Sequence, residues 1–206
     1  MKSDFVEQAV FERIFPYMTP DNRRAISLSL QTGIRIGDIV KLRRKDLNRK
    51  TGVLKFTASK TGKSGEVRLS WEVVEQLIKN SGKTYLFEGK SVNKHRTRQA
   101  VWADVKRATE RAGITGVNIT PHSARKTFAV NDFRRLGNLE EVREHLQHAN
   151  LALTEYYARS NEQKKDGFSE EEFLEKIRFI VHDELREFLP LIISRLQSLQ
   201  TDEERL

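Results

Sequence analysis

Apolar residues Phe5, Val6, Ala9, Val10 and Ile14 fall at helical spacing, so residues 5–15 are predicted to form an amphipathic helix behind an Asp4 cap. A second helix over 20–30 opens on Pro20, and Gly33 is placed to end it. Between 53 and 69 the pattern changes from helical to alternating. Residues 53–58 and 66–69 read as the strands of a small hairpin, with Lys60-Thr61-Gly62-Lys63 as its turn. Helical spacing then returns over 71–79, 93–112, 123–136 and 139–148. After Asp166-Gly167 the text restarts: Ser169 and Glu172 form a capping box, and Phe173, Ile177, Val181, Leu185, Phe188, Ile192, Leu196 and Leu199 trace one apolar stripe. Pro190 should kink this stripe or divide it. The pattern therefore predicts a mainly α protein with a small antiparallel β-sheet (α+β), organised as a domain over 1–165 and an amphipathic helical tail over 166–206.

Composition narrows the function. The 206 residues, 37% hydrophobic, suffice for one core or for a core with an appendage. Lys and Arg outnumber Asp and Glu by 37 to 29, a net charge of +8 that favours a polyanionic partner. The absence of cysteine excludes disulfides, thiolate catalysis and cysteine-ligated zinc. No apolar run is long enough to span a bilayer and the first residues have no signal-peptide core, so the expectation is a cytoplasmic protein with no membrane partner.

Several segments carry candidate chemistry. Arg35 sits in Thr32-Gly33-Ile34-Arg35-Ile36-Gly37-Asp38, just past a helix end, where two glycines permit tight bends. Lys60 occupies the hairpin turn, from which a flexible ammonium can reach over a bound anion. Gly62-Lys63-Ser64 has the ending of a phosphate-binding loop, but Thr57 stands where its first glycine belongs and a strand follows where a helix should, which excludes a nucleotide site. In Thr120-Pro121-His122-Ser123-Ala124-Arg125, Pro121 starts a helix and the i,i+3 spacing puts imidazole and guanidinium on one face. There Arg125 can donate a bidentate pair to a phosphate while His122 handles a proton. His145 and His148 share the spacing of a metal pair, yet no third ligand is evident and no metal site is expected. Tyr156 and Tyr157 are adjacent, so on a helix only one of them can face a given target.

Taken in order, Arg35, Lys60, His122, Arg125, His148 and Tyr157 resemble the catalytic domain of the tyrosine recombinases, the phage integrases and Xer-like enzymes, over roughly residues 11–160. Phe128 and a short strand at Tyr85-Leu86-Phe87 agree with that family, as does the nine-residue interval from His148 to Tyr157. Gln147 departs from it, standing where glycine is usual. The resemblance implies the recombinase catalytic fold with a C-terminal helical extension, and a site-specific recombinase or integrase that cuts and rejoins double-stranded DNA without cofactor. In that reading Tyr157 is the nucleophile, forming a 3′-phosphotyrosyl link. Arg35 and Arg125 clamp the phosphate, with Asp38 orienting Arg35. His148 adds a hydrogen bond, Lys60 protonates the leaving 5′-oxygen and His122 accepts the tyrosine proton. The helix expected after Asn93 corresponds to one that enters the major groove in the family, which nominates Lys94, Arg96, Arg98 and Gln99 for DNA contact. The tail is expected to pack on another copy or to fold back on its own domain. Arg35 lies close to the start of the chain, where family members carry a separate N-terminal domain, so the chain is expected to be an excised catalytic domain or a minimal enzyme. Competing readings are a catalytically silent DNA-binding protein on the same fold, a type IB topoisomerase or a telomere resolvase.

Overall fold

The computed structural model describes residues 3–91 and 93–146. At their centre lies α2 (Pro20–Thr32), which starts with proline in its first turn and ends at Gly33 in the left-handed conformation, φ 67°. Its two sides serve different cores. Ala25 and Leu28 face a cluster completed by Ile39, Leu54, Val74, Leu77, Leu86 and Phe87. Ile26 faces a second cluster with Phe11, Ile14, Val101, Val105 and Ile119. A single helical turn, α3 (Ile36–Ile39), follows, and Ile36 packs against both clusters, so the chain just after Gly33 is wedged between them. Gly37 lies inside this turn with open space around it, so of the two glycines only Gly33 serves a bend that needs glycine.

The first helix begins later than its periodicity predicts. α1 is Gln8–Ile14, with Phe11 and Ile14 buried. Upstream of it, residues 3–7 are tied to α6 (Pro121–Leu136) and to the chain just before it. Lys126 and Thr127 donate to the carbonyls of Ser3 and Val6, each at 2.6 Å, and the Asp4 carboxylate accepts the Asn118 amide at 2.7 Å. Asp4 thus joins two distant segments instead of capping α1, a tertiary partner that local spacing cannot reveal.

The alternating stretch forms the expected hairpin. β1 (Val53–Thr57) and β2 (Ser64–Arg68) pair antiparallel with Leu54 opposite Val67, and Leu54 is fully buried while Lys55 and Thr57 are exposed. α4 (Trp71–Lys79) covers this layer with Val74 and Leu77. The strand predicted at 85–87 is only a bridge from Tyr85 to Arg43, with the Leu86 amide donating to the Leu42 carbonyl at 2.9 Å. α5 (Arg98–Arg111) also starts later than the predicted 93, because Asn93 takes a left-handed φ of 62° and the Arg96 amide donates to the Phe87 carbonyl at 2.8 Å. The Thr97 hydroxyl caps the helix by accepting the Ala100 amide at 3.1 Å. α6 opens on a reciprocal cap between Thr120 and Ser123 with Pro121 in its first turn. α7 (Leu139–Leu146) packs Val142 and Leu146 on Ala129 of α6.

Among the described residues, no helix is long and apolar enough to cross a membrane. The last two residues of the helix predicted over 139–148, the Tyr156-Tyr157 pair and the tail over 166–206 lie outside the described residues.

Candidate active site

Arg125 joins two segments that lead to candidate residues. Only 3% exposed, it donates through one terminal nitrogen to the Gly33 carbonyl and through the other to the Leu146 carbonyl. One guanidinium therefore ties together the turn that carries Arg35, two residues past Gly33, and the end of α7, two residues before His148. Such a fork needs close approach, and Gly33 provides it: a β-carbon there would lie 2.5 Å from the Phe128 ring and 2.8 Å from Leu146. A planar group with five fixed donors can bridge two carbonyls in this way and still hold further N–H groups toward a ligand, which a single ammonium cannot.

Arg35 differs from Arg125 in every respect but its chemistry. It occupies the position before α3 and is half-buried, and its side chain makes no hydrogen bond or ion pair among the described residues. The carboxylate expected to orient it has another partner: buried Asp38 accepts the Ser59 amide at 3.1 Å, and no ion pair joins it to Arg35 among the described residues. The difference matters for Lys60. Ser59 is its neighbour, and its hydroxyl accepts from the Lys41 ammonium at 3.1 Å, so the hairpin tip is moored to the α3 segment from two sides. Lys60 itself is exposed in the turn, where Gly62 adopts φ 69° and donates to the Ala58 carbonyl at 2.8 Å. Asp38 thus positions the lysine's hairpin as well as lying on the arginine's turn.

His122 reports the electrostatics of the cluster. Its conjugate acid is pushed down to about 4 by desolvation and by the charges of Lys126, Arg125 and Arg35. Desolvation is the larger cause, and the three neighbouring cations push in the same direction. The fold therefore brings Arg35, His122 and Arg125 within electrostatic reach of one another and adds Lys126, which sequence reading missed. Lys126 is buried, and its i,i+4 spacing from His122 was the available signal. An imidazole kept neutral by desolvation and by three cations marks a place where positive charge is concentrated.

The four residues nominated for DNA contact divide. Lys94, Arg98 and Gln99 are exposed around the start of α5. Arg96 is not available in the same way: its guanidinium donates to the Asn22 side-chain oxygen at 3.1 Å and pairs with Asp21, joining this segment to the first turn of α2. Nearby, buried Asp104 locks α5 to the same turn, accepting from the Thr19 amide at 2.9 Å and from the Thr19 hydroxyl and the Asn22 amide nitrogen at 2.8 Å each. Burial would raise the Asp104 pKa, but these donors and Arg107 outweigh it and hold the carboxyl below its ordinary value. His148 and Tyr157 lie outside the described residues, and among those described no cluster of three potential metal ligands occurs.

Comparison with known proteins places the chain in a family. The model of the phage integrase family matches residues 5–164, and the chain belongs to that family. A tyrosine recombinase of Pseudothermotoga lettingae is 29% identical over 170 residues, covering 79% of this chain and 58% of the relative. Tyrosine recombinase XerA of Pyrococcus furiosus is 30% identical over 146 residues, covering 67% and 50% respectively. The chain thus spans about half the length of such relatives. Its fold is similar to that of lambda integrase in a dimer bound to a core site, with TM-score 0.70 and 17% identity over 82% of this chain and 52% of the other. The catalytic domain of bacteriophage HP1 integrase matches at TM-score 0.58 and 21% identity, over 77% of this chain and 89% of that domain.

Proposed function

We propose that this chain is the catalytic portion of a site-specific DNA recombinase or integrase, acting on double-stranded DNA through a 3′-phosphotyrosyl intermediate. The observation that carries the reading is the group of Arg35, Arg125 and Lys126 around His122, a cationic site suited to one phosphodiester. Residues 1–165 form the catalytic domain in this reading and 166–206 an accessory helical tail.

Tyr157 attacks phosphorus in line, so an O–P bond to the phenol forms as the bond to the 5′-oxygen breaks. The phenol proton passes to His122 and Lys60 returns one to the departing 5′-oxygen. Arg35 and Arg125 stabilise the charge on the nonbridging oxygens, with a further hydrogen bond from His148. A base with a pKa of about 4 is a poor match for a phenol, and the phosphate's own charge, by offsetting the three cations, raises it and improves the match. The ester bond conserves the energy of the cleaved linkage, so a second 5′-hydroxyl can reverse the reaction on another strand without cofactor. Lys94, Arg98 and Gln99 contact the duplex, and Arg96 supports them from behind through α2.

The test is a duplex nicked close to the cleavage site, which traps the covalent protein–DNA adduct. The full chain should form it in the presence of EDTA, Tyr157→Phe should not, and Tyr156→Phe should retain most of it. Adduct formation by Tyr157→Phe would refute the assignment, and relaxed circles without recombinant products would favour a topoisomerase.

A further inference from the structure

Asp132 is a buried carboxylate, 5% exposed, for which the proposed chemistry has no use. Both of its oxygens are engaged: one accepts from Arg135 at 2.6 Å, the other lies 2.7 Å from Nδ1 of His145. Since a carboxylate only accepts, Nδ1 carries the hydrogen and Nε2 is left toward solvent, on a side chain 48% exposed. Arg135 is on α6 with Asp132, whereas His145 comes from α7. Seven residues, or two helical turns, separate Arg125 from Asp132, so both project from one face of α6 about 10 Å apart. Their partners on α7 are consecutive residues, the His145 ring and the Leu146 carbonyl. Two polar side chains from one helix thus converge on the last turn of the next.

We infer that Asp132 and His145 are positioning residues that, with Arg125, clamp the C-terminal turn of α7 in a single register and so place the chain that continues to His148 and Tyr157. The inference rests on the recombinase reading for its consequence, though the clamp itself does not. Apolar packing of Val142 and Leu146 fixes which face of α7 is buried, but hydrophobic contact is non-directional and permits a short helix to slide or rotate. Two hydrogen-bonded points remove that freedom. Arg125 supplies the point nearer the cationic site, and Asp132 the point that prevents rotation about it. A buried carboxylate is costly to desolvate and is a poor choice for stability alone, whereas fixing register is a use such groups serve well.

The experiment compares two replacements in the full chain. His145→Leu keeps the volume and favours a helix but removes the donor, while His145→Asn places an amide N–H where Nδ1–H stood. The rate of covalent attachment to the nicked duplex, the Kd for that duplex and amide exchange along α7 are measured together. His145→Leu should slow attachment about tenfold while Kd stays within about twofold, and His145→Asn should restore most of the rate, as expected when one directional hydrogen bond is lost and regained. Amide exchange in α7 should rise in the leucine variant only. Equal rates for the wild type and His145→Leu, or an asparagine variant no better than leucine, would overturn the inference. If the wild-type chain forms no adduct, the recombinase reading fails, and α7 exchange in the two variants still decides whether the clamp exists.

Discussion

Arg35 and Arg125 carry the same guanidinium, but the fold treats them as opposites, and the contrast is measurable. Arg125 is buried on two backbone carbonyls, whereas the Arg35 guanidinium has no hydrogen-bonding protein partner among the described residues. Arg125→Lys should therefore remove about 2–4 kcal/mol of stability, since one ammonium cannot satisfy both carbonyls, and should also abolish covalent attachment. Arg35→Lys should leave stability within about 0.5 kcal/mol and still lose attachment. Denaturant titration beside the adduct assay separates the two, and equal stability losses would contradict the geometry. His122 gives a second residue-level prediction. Between pH about 4 and 6.5 the unfolded chain binds a proton at His122 that the folded chain refuses, so stability at this site falls as pH drops through that window. A bound phosphodiester opposes the cations' part of that bias, so imidazole resonances followed by NMR should titrate near 4 in the free protein and move upward with duplex present. A free-protein titration at the ordinary histidine value would remove the three-cation site.

At the scale of elements, Arg96 and Arg98 make the useful pair. Arg96 is bound to Asp21 and Asn22, while Arg98 is exposed on the first turn of α5. Arg98→Ala should weaken duplex binding and lower the salt dependence by about one phosphate contact, with stability unchanged. Arg96→Ala should lower stability by about 1–3 kcal/mol by leaving partly buried polar groups unpaired, and should weaken DNA binding only through the displaced segment. A full unit of salt slope lost with Arg96 and none with Arg98 would reverse their roles. These two arginines also show what the sequence could convey. The hairpin, α2 and α6 were legible because alternation, Pro20, Gly33 and Pro121 act locally. The start of α5 was not, because Asn93 takes a left-handed turn and the Lys94 carbonyl and Arg96 amide pair with Gly89 and Phe87, and helical periodicity overran it. The candidate residues Arg35, His122 and Arg125 were nominated by their order in the chain, and both arginines act electrostatically on His122. Their division of labour was not legible, since neither the Asp38–Ser59 hydrogen bond nor the Arg125 fork leaves a local signature. Lys126 was overlooked because a lysine beside a conspicuous arginine reads as solvated surface until its burial is seen.

For the whole molecule, the recombinase reading raises the question of how attachment on one strand becomes exchange between two. In that reading a single catalytic centre cleaves one phosphodiester and exchange requires a second centre on the same DNA, so copies of the chain are expected to meet. The sequence offers one element for that purpose: an apolar stripe from Phe173 to Leu199, eight large side chains at helical spacing and too many to leave in water. Covering it against another copy would couple assembly to the placement of Tyr157, which lies only twelve residues before Ser169. Covering it against its own domain would instead restrain the tyrosine until a partner arrives. Deleting the chain from Ser169 onward distinguishes these arrangements. Association between copies predicts a lower oligomer mass on DNA by sedimentation and a loss of recombinant products, with cleavage of an isolated half-site retained. Restraint within one copy predicts the opposite sign for cleavage, a faster adduct from the truncated monomer. If neither mass nor cleavage changes, the stripe serves a different partner and plays no part in strand exchange.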